Sequence, residues 1–236
     1  MKTIYSIGFI TEKLENLIDI FIRNDINLVV DIRSNLNSLY YPEYNSDNLD
    51  KMLRIYGIKY LALDSEFGEV REETNAYSLV KFYDSLYMGI VDYRKVYSLK
   101  AFEYGYEIVK DSINNGFNVC FLSEEVLPHY SHRGIMVSEY FYRLGYNIKH
   151  IISNDHIINH EDIYDELESI FEEEKRKFLE LYHKEISEIS YSTYDIFGNQ
   201  IEVDSNITFW YEFFSHYTNE KAIYLQNLLI GYKKGI

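Results

Sequence analysis

Apolar residues recur along the first two thirds of the chain in short runs separated by amphipathic stretches. Residues 3–9 (TIYSIGF), 28–32 (LVVDI), 58–63 (IKYLAL), 117–122 (FNVCFL) and 147–152 (NIKHII) are β-branched and aromatic, and the runs are of strand length. Between the first two, Leu14, Leu17, Ile18, Phe21 and Ile22 repeat at helical spacing behind Thr11, a residue type that caps helices. A second helix opens at Ser46 and runs through Leu49, Met52, Leu53 and Tyr56 to Gly57. A third spans Leu99 to Ile113, and a fourth follows Ser131 to about Leu144, where Gly145 stops it. Residues 64–97 are less regular.

Strand–helix alternation with connections of this length predicts an α/β domain. Its core is a mostly parallel, five-stranded, Rossmann-like sheet between two helical layers. Residues 1–155 make up this domain. Residues 156–236 are more acidic for their length and form an aromatic, helical extension: one helix over 161–189, a hairpin over 191–203 around Gly198–Asn199, and a helical stretch over 208–231. The extension is expected to pack on the core or to mediate homo-oligomerisation.

Ligands of such sheets bind beyond the carboxyl ends of the strands. Those ends carry Gly8–Phe9, Asp31–Arg33–Ser34, Asp64–Glu66 and Ser123–Glu125. His132 and Arg133 stand at the start of the fourth helix, where N–H groups and the helix dipole favour an anion. Arg33 and Arg133 offer forks matched to phosphate or carboxylate. With Ser34, Ser123 and Ser131 they outline a site for an anionic small molecule or nucleotide. Asp31, Glu125 and His132 are the candidates for acid–base chemistry there. The competing reading is that Arg133 pairs with Glu125 or Asp31 and ties loops together. Ser131–His132 reads as a cap and its neighbour rather than a nucleophile and base, since adjacent residues at a helix start point apart.

Charge narrows the classes. A net charge of −15 argues against broad binding to nucleic acid phosphates. Cys120, the single cysteine, excludes an internal disulfide and any thiolate-only zinc site within one chain, and its apolar strand marks it as a buried hydrophobe. His156 and His160 would share a face if their stretch were helical, as metal ligands can, but Ile157-Ile158-Asn159 reads as part of a solvated polar loop, so no metal and no cofactor are expected. The run Glu172–Lys177 reads as exposed charge pairs. Phosphate-binding loops of the G-x-x-x-x-G-K-[ST] and G-x-G-x-x-G kinds are absent. Glu12, Lys13 and Glu15 interrupt the first apolar run before a secretory core develops, and no run approaches the roughly 20 residues that span a bilayer. The expected location is cytoplasmic.

Several segments in order then resemble a known family. Ser6-Ile7-Gly8, Val30-Asp31-Ile32-Arg33-Ser34 with Ser38, Tyr41-Pro42-Glu43-Tyr44-Asn45, Gly57-Ile58-Lys59-Tyr60, Ser123-Glu124-Glu125 through Pro128 to Ser131-His132-Arg133, and Gly145 to Ile151 are similar to the pattern of domain of unknown function 488, over about residues 3–152. Where that pattern has a histidine, a proline and two cysteines, this chain has Phe9, Leu36, Ser123 and Ser131. The resemblance implies a pocket role for Arg33 and Arg133. It also implies that any thiol chemistry of the family is missing, because an unactivated hydroxyl is a far weaker nucleophile than a thiolate. Three roles follow as expectations: a binding or sensing protein, a hydrolytic or transfer enzyme acting on a nucleotide, nucleoside or modified base, or a nucleic-acid-processing accessory protein.

Overall fold

A computed structural model describes residues 2–9, 12–83 and 86–167, with positions 169, 173 and 176 and segments 192–194 and 200–202. It divides into two units, Met1–Ala76 with Tyr93–Tyr164, and Tyr77–Asp92 with Asp165–Ile236.

The five apolar runs are strands. In chain order the elements are β1 (Thr3–Gly8), α1 (Leu14–Arg23), β2 (Leu28–Asp31), α2 (Ser46–Ile55), β3 (Lys59–Ala62), α3 (Asp64–Phe67), β4 (Tyr77–Tyr83), β5 (Leu86–Val91), α4 (Tyr93–Val96), α5 (Lys100–Asn114), β6 (Val119–Ser123), a π-helical turn over Arg133–Ser138 that runs on into α6 (Glu139–Arg143), β7 (Asn147–Ser153) and β8 (His156–Asn159). The sheet of the first unit has the order β3-β2-β6-β1-β7-β8. All neighbours are parallel except β8, which runs antiparallel to β7. β2 and β6 are buried at every residue, as strands covered on both faces must be.

Side-chain alternation divides the core between the two faces. Ile7, Val29, Cys120, Leu122 and Ile151 join Leu17, Phe21, Leu49 and Leu53 of α1 and α2. Phe121, one residue out of phase, packs with Phe67 of α3 and Phe141 of α6, and Phe67 in turn meets Phe102 of α5, through edge-on and tilted ring contacts. This is the expected three-layer α/β architecture.

The structure corrects the sequence reading in four places. The sheet has a sixth strand, β8, where a polar loop was expected. Asn154–Asp155 form a tight turn that folds Ile157–Asn159 back onto β7. His156 is exposed while His160 is fully buried, so the two do not share a face. The irregular stretch 64–97 holds two short helices and, in the second unit, the antiparallel hairpin β4–β5. α1 is flanked at its start by Lys13 rather than Thr11, whereas α2 opens at Ser46 as expected.

In the second unit Ser192–Tyr194 (β9) pairs antiparallel with Gln200–Glu202 (β10), the hairpin that the Gly198–Asn199 signal anticipated. Residues 162–167 are helical. Most of the rest of the expected 161–189 helix, most of the charge run 172–177, and the aromatic stretch 208–231 lie outside the described residues. Among the described residues no helix is long and apolar enough to cross a membrane, and no cluster of three His, Cys, Asp or Glu is placed to hold a metal.

Candidate functional site

The carboxyl ends of β1, β2 and β6 gather the residues singled out in the sequence, but in two networks. Asp31 is in phase with Val29 and so lies on the α1/α2 face. Its carboxylate holds Arg33 in a fork, with Nε 2.9 Å from Oδ1 and Nη2 2.5 Å from Oδ2, and it also accepts the Tyr60 hydroxyl at 2.8 Å. Arg33 Nη2 donates further to the Tyr44 carbonyl at 2.7 Å, and its guanidinium lies 5.1 Å from the centroid of the Phe9 ring. Phe9 in turn stacks on Tyr44. Burial opposes the charge of Arg33, and the bonds and charge of Asp31 outweigh it, so its pKa is raised. Burial and the Asp31 charge push the Tyr60 hydroxyl up as well. Ser34 is exposed and accepts the Val70 N–H at 2.9 Å.

Arg133 occupies the other face, with Ser6 and Ser123, both out of phase with the α1/α2 core residues. It is the largest fully buried side chain of the chain's described residues. Nε donates to Ser123 Oγ at 3.0 Å, Nη1 to Ser6 Oγ, and Nη2 to the carbonyls of Glu125 and Val126, both at 3.0 Å. Ser131 Oγ accepts the Arg133 N–H at 3.1 Å and donates to the half-buried Glu125 carboxylate at 3.0 Å. Its carbonyl takes the N–H of Gly134 and Ile135, so Ser131 does cap this helix. Two glycines allow the loop between to sit so close. A Cβ on Gly8 would lie 1.8 Å from the Glu125 carbonyl oxygen, and one on Gly134 would lie 2.1 Å from that of Pro128. The structure therefore does not bring Arg33 and Arg133 to one anion. Arg133 binds loop carbonyls rather than the carboxylate of Glu125 or Asp31.

His132 stands between the networks. Its Nε2 lies 2.9 Å from the Ile32 carbonyl, which can only accept, so Nε2 carries a proton and Nδ1 is the free position. Nδ1 is buried without a hydrogen-bond partner, and 3.9 Å away stands the carboxylate of Glu69, whose side chain is half exposed. The hydroxyl of Tyr93 is likewise buried and unpartnered, in a residue 2% exposed. Burial raises its pKa well above the ordinary value, with further contributions from Glu69 and Glu125. Glu69, Tyr93, Glu125 and His132 thus form one electrostatic neighbourhood, and only Glu125 and His132 were legible as candidates. Asp31, the third, is fully engaged by Arg33 and Tyr60. No strand end or cap marks Glu69 or Tyr93, which lie in the irregular stretch. Cys120 is buried in β6, and its burial holds the thiol protonated.

A comparison with known families decides the kinship. The family described as Domain of unknown function DUF488 matches residues 13–140, more than half of the chain. The chain belongs to that family. The DUF488 match takes in both arginine networks from β2 onward, and it ends before β7 and β8. No curated protein and no solved structure matches the chain.

Proposed function

We propose that the chain binds a small polar molecule of the nucleobase or nucleoside class at Glu69, Tyr93, Glu125 and His132. The supporting observation is the pair of shielded, unpartnered atoms, His132 Nδ1 and Tyr93 Oη, that share Glu69 as neighbour. An unpaired buried polar atom costs about 1–3 kcal/mol. Two of them in one neighbourhood favour a ligand that completes both once the half-exposed Glu69 side chain swings aside. The chemistry of the set selects the class. Two carboxylates accept N–H groups, Tyr93 donates, and His132 offers Nδ1, an edge that suits a heterocycle with both donors and acceptors. Phosphate fits less well, because Arg33 is neutralised by Asp31 and Arg133 is committed to four oxygens. A cytosolic setting is part of this reading.

The fixed tautomer of His132 supports a second reading. A general base needs one nitrogen held and the other free, and here Ile32 holds the first. In a hydrolytic or transfer reaction His132 Nδ1 would take a proton from water or a substrate hydroxyl, with Glu125 as the nearby carboxylate.

A thermal-shift and calorimetric series with bases, nucleosides, nucleotides and inorganic phosphate tests the binding reading, with wild type beside Tyr93→Phe. A base or nucleoside raises Tm in the wild type and phosphate alone does not. Tyr93→Phe melts at or slightly above wild type, since it deletes an unpaired hydroxyl, yet binds the same ligand several-fold to tenfold more weakly. Equal binding by the variant, or no shift with any base or nucleoside, overturns the proposal. Product formation from the bound ligand, lost in His132→Gln, would establish the second reading.

A further inference from the structure

Behind the strand ends, between the sheet and α6, runs a second polar assembly that the proposed site does not use. Arg133 Nη1 donates to Ser6 Oγ. Ser6 Oγ lies 2.6 Å from His150 Nδ1, His150 Nε2 lies 2.9 Å from His160 Nδ1, and His160 Nε2 lies 2.8 Å from Glu139 Oε2. Glu139 also accepts the Tyr164 hydroxyl at 2.8 Å and Arg143 Nε at 2.5 Å. Ser6, His150 and His160 are fully buried. β1, β7 and the residue after β8 thus bring one hydroxyl and two imidazoles into line with a carboxylate on α6.

One assignment gives every hydrogen along this line an acceptor. A guanidinium only donates, so Ser6 Oγ accepts there, and its own hydrogen finds an acceptor on this line only at His150 Nδ1. His150 then carries its proton on Nε2 and donates to His160 Nδ1. His160 carries its proton on Nε2 and donates to Glu139, which only accepts when ionised. Each imidazole holds one proton, and every bond points from Arg133 toward Glu139.

We propose that Ser6, His150, His160 and Glu139 form a one-directional proton chain that keeps Arg133 clamped on the Glu125–Val126 loop at neutral pH and loosens that clamp in acid. Protonation of His150 reverses the Ser6 end of the line: Nδ1 becomes a donor, and Ser6 accepts from both Arg133 and His150. The Ser6 hydrogen is left without its acceptor, and a new positive charge lies buried on the same chain as Arg133. The charged and titratable groups around the chain are Arg133 and His129 near His150, Tyr142 and Tyr164 against His160, and Arg143 with Tyr164 and Tyr97 near Glu139. Burial, with the neighbouring His160 and Arg133, lowers the pKa of His150 well below the ordinary histidine value. The unfolded chain therefore takes up a proton at this residue below about pH 6.5 and the folded chain does not. The stability it contributes is present above that pH and is lost as pH falls.

This inference stands apart from the ligand reading and is tested without any ligand. Imidazole ¹⁵N shifts at pH 7 should show His150 and His160 each singly protonated on Nε2. A doubly protonated ring, or an Nδ1–H tautomer, on either residue at that pH overturns the chain. Urea unfolding from pH 8 to 5 is then compared between wild type and His150→Gln. The wild-type unfolding constant should rise more steeply toward acid, by up to tenfold per pH unit below about 6.5. Amide protection of residues 124–131, corrected for intrinsic exchange, should fall over the same range in the wild type. Parallel pH profiles in the two proteins, or loop protection that stays constant to pH 5, overturn the acid-release claim. If His150→Gln does not fold, the ¹⁵N shifts and the wild-type loop protection decide the matter.

Discussion

A guanidinium enclosed on all sides needs oxygens for its N–H groups, and Arg133 finds four on Ser6, Ser123 and two loop carbonyls. Removing it leaves those oxygens unpaired and opens a large buried void. Arg133→Ala should therefore lower stability by at least about 3 kcal/mol in urea unfolding, whether or not a ligand is present. Lysine keeps the charge but not the fork and should recover only part of the loss. Glu139 behaves in the opposite way to the neutral histidines it terminates. Burial opposes its charge, but the hydrogen bonds it accepts from His160, Tyr164 and Arg143 outweigh that and set its pKa below the usual carboxylate value. Its contribution is complete above about pH 4.5 and is lost as pH falls through its lowered folded value. In Glu139→Gln, unfolding monitored by circular dichroism should show lower stability at pH 7 and a flatter profile between pH 5 and 3. Asp31, Arg33, Glu125, His132 and Arg133 were legible as polar residues at strand ends and a helix start. Their grouping was not, because it depends on strand phase: Asp31 shares a face with Val29, whereas Ser6 and Ser123 share the other face with Phe121. Ser6 and His150 were visible as polar residues inside apolar runs, but they connect to Glu139, on a different element, only through His160.

Among the elements, the five apolar runs read directly as strands, because a strand buried on both faces has to be apolar throughout. β8 escaped that rule. It is a four-residue edge strand, mostly exposed, whose signal is the turn before it rather than its own composition. The opening of the helix after Ser131 was expected as ordinary α-helix. It forms a π turn over Arg133–Ser138, and no periodicity in a six-residue window distinguishes the two. Such widened turns occur often at functional positions, and this one begins at the residue that anchors the loop. Close packing of that loop gives a sharp test. Gly8→Ala or Gly134→Ala would force a Cβ against backbone rather than a flexible side-chain tip. Each should destabilise by about 1–3 kcal/mol or more, with the unfolding midpoint shifted and the m-value unchanged. Ser138 Oγ is the converse case, buried without a partner on the same turn. Ser138→Ala should be neutral or mildly stabilising by the same measurement.

For the molecule as a whole, a net charge of −15 means self-repulsion within the folded chain. Raising ionic strength from 0.01 to 0.15 M shortens the screening length from about 30 to about 8 Å. Tm at pH 7 should rise by a few degrees over that range, and a fall would show that attractive pairs outweigh the net repulsion. The order of the sheet has a different consequence, one of timing. β1 lies between β6 and β7, so the first strand of this sheet to leave the ribosome has both of its neighbours near the far end of the unit. Ser6 and its partner His150 are 144 residues apart. At about 5–20 residues per second, translation leaves β1 without its full pairing for roughly 7–30 s. Through that interval Ile4, Ile7 and Phe9, all enclosed in the finished fold, travel as an exposed apolar segment of the kind that chaperones hold. A nascent chain interrupted before β6 would carry that segment with neither of its partner strands to dock on.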